Sequence, residues 1–138
     1  MKRWQIPAML SLAMLMAGCE NNAASYQVDG SKDHAISLLR EQNVPWGLVT
    51  QRFVVSRFPD CQRRYDVEST STDMVKISLY QVAPMLFAAR QGQNWYALGT
   101  EACQVQTFKP EDRPSQPPGS LLGSFEKQDG KLVFIPAK

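Results

Sequence analysis

Few side chains in this sequence carry reactive chemistry, and their spacing excludes more than it permits. Three cysteines stand at Cys19, Cys61 and Cys103, too far apart for a Cys-x-x-Cys redox or zinc pair. His34 is the only histidine. Without a second histidine or a free cysteine beside it, it is read as a surface residue, not as a metal ligand or catalytic base. Asp66, Glu68 and Asp73 lie close together around the stretch Ser69-Thr70-Ser71-Thr72, which has the composition of a solvated loop. General acid–base work needs a pocket that moves carboxylate pKa values, and nothing in the sequence signals one. Nucleophile elbows, phosphate-binding glycine loops and dinucleotide fingerprints are missing. The expectation is therefore a protein without catalytic residues, metal or cofactor, and not an enzyme.

One polar group stands out. Arg57, Arg63 and Arg64 surround Pro59-Asp60-Cys61-Gln62, and guanidinium offers a planar fork suited to carboxylate or phosphate. These arginines are the candidate contact for an anionic ligand or partner, the alternative being ion pairs with Asp60, Asp66 and Glu101. Asn94-Trp95-Tyr96 has a similar double reading. Neighbours on a strand point to opposite faces, so one of the two rings needs cover from a helix or a second layer, or serves as a partner contact.

The N-terminus is more specific. Lys2 and Arg3 precede an apolar run from Ile6 to Met16, broken only by Pro7 and Ser11, and the small pair Ala17-Gly18 follows. This is the layout of a signal peptide, and the run is well short of the ~20 residues that span a bilayer as a helix. Met16-Ala17-Gly18-Cys19 resembles the lipobox of bacterial lipoproteins, with Met16 where leucine is usual. The resemblance implies cleavage before Cys19, a diacylglyceryl thioether on its sulfur and, in most such proteins, an amide-linked chain such as palmitate on its nitrogen. It also implies a place in the cell envelope. Glu20, rather than Asp, after the cysteine favours the outer membrane, facing the periplasm. Two or more acyl chains anchor a protein stably, at about 0.8 kcal/mol per buried CH₂.

This reading changes the inventory of charge and thiols. The formal charge of +2 includes Lys2 and Arg3; without them, 13 basic residues balance 13 acidic ones. A nucleic-acid partner would require a basic excess, so none is expected. With Cys19 assigned to lipid, Cys61 and Cys103 remain together in an oxidising compartment, where a disulfide between them is expected. Two separate buried thiols are the alternative.

The elements that must position these residues follow from the pattern. Residues 1–18 are assigned to the signal peptide, 19–30 to a flexible tether of small polar residues, and 31–138 to a single small globular domain. Ser31 as cap, Asp33 in the first turn, and Ala35, Ile36, Leu38 and Leu39 before Val44-Pro45 predict a helix at about 32–42. Strands are expected in 47–58, 74–82, 85–90, 95–100 and 103–108. Lys109 to Gly119 carries four prolines and reads as an extended connection. If Asp129-Gly130 forms a type I′ turn, Gln128 faces Lys131, Lys127 faces Leu132 and Phe125 faces Phe134. The expected fold class is α+β, one N-terminal helix on an antiparallel sheet of about six or seven strands, with barrel-like closure as one form. The function expected is a membrane-anchored envelope lipoprotein, a binding or accessory subunit with an envelope protein partner. The alternative is a ligand-binding or enzyme-inhibitor module. The layout is similar to that of small lipidated β-barrel lysozyme inhibitors, although no inhibitory motif is matched.

Overall fold

The computed structural model describes residues 19–138. The segment read as a signal peptide, including Met16-Ala17-Gly18, lies outside the described residues. The described residues build ten antiparallel strands. Four form one sheet in chain order: β1 (Asn21–Gln27), β2 (His34–Glu41), β3 (Val49–Arg57) and β4 (Cys61–Thr70). The other six are β5 (Ile77–Ala83), β6 (Leu86–Gln91), β7 (Asn94–Gly99), β8 (Gln104–Thr107), β9 (Ser120–Gln128) and β10 (Lys131–Pro136). They are ordered β10-β9-β5-β6-β7-β8. Period-two side chains from both sheets fill the space between them. Ile36, Leu38, Phe53 and Val55 from the first sheet share one core with Ile77, Leu79, Phe87, Leu98 and Phe125 from the second.

Side chains close both lateral seams of this sandwich, so the edge strands are covered. On one side the Tyr26 ring lies 5.2 Å from that of Phe134 and 6.2 Å from that of Phe87. On the other, Cys61 at the start of β4 is bonded to Cys103 just before β8. The Tyr65 hydroxyl lies 2.7 Å from Thr107 Oγ1 across the same seam. Strand directions sort the connections into two ends. The near end collects Cys19, the β2–β3 loop, the β4–β5 loop and the turns after β6 and β9. The far end collects the β1–β2 loop, Phe58 to Asp60, Pro84-Met85, Thr100 to Ala102 and the start of β9.

The α+β expectation is overturned, because the described residues contain no α-helix and only one 3-10 turn, at Pro110–Asp112. The segment predicted to be helical at 32–42 is β2. Its alternation is Ile36, Leu38 and Arg40 inward against Ser37, Leu39 and Glu41 outward. Arg40 at an inward position hides the period of two, leaving Ile36 and Leu39 to imitate a helical stripe. Pairing with β1 on one side and β3 on the other outweighs the modest helix propensity of Ala35 and Leu39. The expected tether at 19–30 is also corrected: Asn21 to Gln27 pair residue by residue with Glu41 to Ala35. Asp66, Glu68, Ser69 and Thr70 lie on β4, not in a loop; only Val67 of that strand is buried, so no alternation marks it in the sequence.

Elsewhere the local chemistry is followed. The last hairpin has the expected register, with Gln128 opposite Lys131, Lys127 opposite Leu132 and Phe125 opposite Phe134. Its turn residues Asp129 and Gly130 both have positive φ, 51° and 77°, as type I′ requires. Gly123, at φ 153° beside a bulge in β9, is needed for close approach. A Cβ there would lie 2.2 Å from the Ile135 carbonyl oxygen.

Candidate functional site

The near end is organised around a charge inside the protein. Arg40 is the third inward residue of β2 after Ile36 and Leu38, and it is fully buried. Guanidinium carries five N–H donors, and burying it unpaired costs several kcal/mol. Every branch is engaged. Nε donates to Glu20 Oε1 at 2.9 Å and Nη2 to Glu20 Oε2 at 3.4 Å. Nη1 donates to Gln51 Oε1 and to Thr70 Oγ1, and Nη2 also to the Ser71 carbonyl. Gln51 continues the chain by donating to the Glu68 carbonyl and to Gln91 Oε1, both at 2.8 Å. Gln91 in turn donates to the Val75 carbonyl at 2.8 Å. The network thus runs from the residue preceding β1 through β2 and β3 into the second sheet, and it ties down the β4–β5 loop.

Glu20 is the counterion. Burial pushes its carboxyl pKa up, but the Arg40 guanidinium and the Lys127 ammonium, 3.4 Å away, more than offset this and hold it below the ordinary carboxylate value. Its backbone is fixed as firmly as its side chain. The Glu20 N–H donates to Gln42 Oε1 at 3.2 Å, and the Glu20 carbonyl accepts the Gln42 N–H at 2.7 Å. Gln42, itself buried, donates from Nε2 to the carbonyls of Pro45 and Gly47 at 3.2 and 2.8 Å. Cys19, one peptide bond away, is exposed and has a free thiol.

The structure separates the remaining candidates. Cys61 and Cys103 form a disulfide, with Cα atoms 5.8 Å apart. Arg57, Arg63 and Arg64 share the Cys61 region but do not converge on one site. Arg57 donates to the carbonyls of Thr100 and Glu101 and pairs with Asp60. Arg63 donates from Nε to the Cys103 carbonyl at 3.0 Å. Two of the three arginines therefore stitch the β4–β8 seam, while Arg64 stands exposed. His34 is not a surface residue: it is buried at the start of β2, its Nδ1 3.3 Å from Asp29 Oδ2. The Ser31 backbone N–H, together with His34, holds Asp29 below the usual carboxylate range.

The carboxylates do not form a cluster. Asp66 pairs with Arg52 at 2.7 Å, Glu68 accepts from Asn94 at 2.6 Å, and Asp73 is exposed in the β4–β5 loop. Among the described residues no group of three His, Cys, Asp or Glu side chains is arranged to hold a metal ion. Trp95 and Tyr96 take opposite faces. Tyr96 enters the core edge-on to Phe53 at 5.6 Å, where burial pushes its phenol pKa up. Trp95 lies on the outer face, covered by Phe108 and Tyr80 and by the Arg90 guanidinium 5.5 Å from its ring. The cover is thus the outer face's own side chains and Phe108, the residue after β8, not a helix.

The Glu20–Arg40–Gln51–Gln91 network was not found by sequence reasoning. Its available signal was the spacing Ile36-x-Leu38-x-Arg40, in which arginine continues a period of two. The far end differs in character: Phe58, Val82, Met85, Leu86 and Leu121 are exposed there, and an open groove of about 450 Å³ runs past Met85, Leu86 and Gly99. Among the described residues no helix is long and apolar enough to cross a membrane. In comparisons with known proteins, the chain matches no family model, no curated protein and no solved structure.

Proposed function

We propose that this chain is a lipoprotein of the bacterial envelope, cleaved before Cys19, lipid-anchored there, and working without catalysis as a binding or accessory subunit. The observation that carries the reading is the state of Cys19. Its thiol is exposed, while the next residue, Glu20, is buried as the partner of Arg40. Cleavage before Cys19 leaves that ion pair intact, and a lipid added to the sulfur leaves the domain without disturbing the core. The Cys61–Cys103 disulfide suits an oxidising compartment. The engaged arginines and separated carboxylates favour binding over chemistry, and the exposed apolar side chains of the far end favour a protein partner.

The anchor is tested by intact-mass analysis of the protein from the membrane fraction. The expected product begins at Cys19 and carries a diacylglyceryl group and an acyl chain. A chain beginning elsewhere, or an unmodified Cys19 thiol, overturns the assignment. The accessory role is tested by placing a photo-crosslinking residue at Met85 or Leu121, with Lys109 as control, in intact cells. The same envelope protein should be captured from both far-end positions and not from the control.

A further inference from the structure

The β2–β3 turn brings apolar side chains to the place where the chain leaves for residues 1–18. Val44-Pro45-Trp46-Gly47 is a tight turn, closed by the Gly47 N–H donating to the Val44 carbonyl at 3.0 Å. Pro45 suits its second position, and a Cβ at Gly47 would lie 2.7 Å from the Val44 side chain. The turn holds Trp46 outward, 85% exposed, with Leu48 at 67% and Val44 at 39%. An indole so exposed contributes nothing to the core, and two aliphatic neighbours beside it form a patch.

The turn and Cys19 are mechanically linked. Gln42 binds the Glu20 backbone on one side and the Pro45 and Gly47 carbonyls, which flank Trp46, on the other. Asn21 opposite Glu41 continues the pairing to within two residues of Cys19. A single residue reaches at most about 3.6 Å. With Glu20 locked to Arg40 and Gln42, a lipid on Cys19 has no slack chain beneath it. The near end is then drawn onto the headgroup layer, and tryptophan is the side chain most at home at that depth.

We propose that the Val44–Leu48 turn is a membrane seat, in which Trp46 inserts into the bilayer interface beside the lipid on Cys19 and fixes the orientation of the domain. The inference rests on the lipoprotein reading above and deepens it: the anchor is a rigid footing, not a tether. Lys127 and Arg40 are paired with Glu20, and Lys131 stands among the exposed acids Glu41, Asp73 and Asp129 at this end, so the end carries no basic excess and the seat is apolar rather than electrostatic. It should persist at high salt.

The test uses the full chain expressed with its own N-terminus, extracted from the membrane and reconstituted into phosphatidylethanolamine–phosphatidylglycerol vesicles brominated near the carbonyl end of one acyl chain. Mass analysis of the same sample establishes lipidation of Cys19 and loss of residues 1–18, and with them Trp4. Trp46 and Trp95 then remain, and Trp95 is buried. The expected result is that tryptophan emission falls roughly twofold on bromination, at low and high salt alike, and that this loss vanishes in Trp46→Phe. Lipidated, vesicle-bound protein with no Trp46-dependent quenching overturns the seat and leaves the anchor standing. So does a monomer–dimer equilibrium that depends on Trp46 without quenching, since the turn's occupant is then a second copy. An unmodified Cys19 in protein that stays free of vesicles overturns both readings.

Discussion

The Glu20 carboxylate accepts the Arg40 Nε–H at 2.9 Å inside the protein, from twenty residues away along the chain, Glu20 being the residue that leads into the neighbouring strand in space. Their side chains are 5% and 0% exposed. The residue after Cys19, which the sequence suggests as a sorting signal, is thus also the counterion of a buried arginine. Any substitution at Glu20 intended to alter membrane sorting also alters the core.

Removing one partner leaves the other charge buried. Arg40→Met should destabilise the domain by about 3–5 kcal/mol, because Glu20, Gln51 and Thr70 all lose a donor. Adding Glu20→Gln should recover part of that loss, since the orphaned carboxylate is neutralised. Urea unfolding of the two single variants and the double variant gives the coupling. Strict additivity would mean that the pair does not interact.

The same pair predicts an acid limb of stability. The folded-state pKa of Glu20 lies below its ordinary value of 4.5, so its contribution is fully present above that value and is lost as pH falls through the folded pKa. Glu20→Gln should be less stable than the parent at neutral pH, and the gap should narrow as pH drops below 4.5. Unfolding free energies across this range provide the check. A gap independent of pH would assign the loss to packing instead.

The disulfide joins residues 42 apart in sequence and clamps the β4–β8 seam. Loop closure of that length stabilises by roughly 4 kcal/mol in the chain-entropy treatment. Cys61→Ala with Cys103→Ala should lower the unfolding midpoint accordingly. Because Arg57 and Arg63 still reach the carbonyls of Thr100, Glu101 and Cys103, the fold should survive in mild conditions, as circular dichroism would show.

Gly123→Ala should cost about 1–3 kcal/mol, because the new methyl meets the Ile135 carbonyl oxygen and the Phe134 ring. Gly130→Ala meets no neighbour within contact distance and carries only the strain of positive φ. Thermal unfolding of the pair should rank Gly123→Ala as the less stable.

Where local chemistry is decisive, the architecture was legible from the amino acids. Asp129-Gly130 dictates a turn with two positive φ angles, and that turn sets the register placing Phe125 against Phe134. Met74 to Val82 alternates with Val75, Ile77 and Leu79 on one face; Ile77 and Leu79 are the inward side chains of β5, whereas Val75 lies before that strand and is exposed. The pairing of Cys61 with Cys103 followed from a count of thiols once Cys19 was set aside. Three features were not legible. β1 is made of small polar residues that pair only because β2 offers an open edge, β4 is an edge strand with one buried side chain, and β2 hides its period behind an inward arginine.

The composition, the missing catalytic motifs, the positions of the cysteines and the apolar N-terminal segment are properties of the chain itself, readable without coordinates because they depend on residue type and local spacing. The location of Arg40 is of another kind. A buried guanidinium is tolerated only when acceptors from the residue before β1, from β3, from the end of β4 and from the β4–β5 loop arrive together. That convergence of Glu20, Gln51, Thr70 and Ser71 exists only in the folded molecule. The firmness of the footing beside Cys19 follows from the same convergence: short-range pattern makes residues 19–30 a tether, and long-range hydrogen bonding makes most of them a strand.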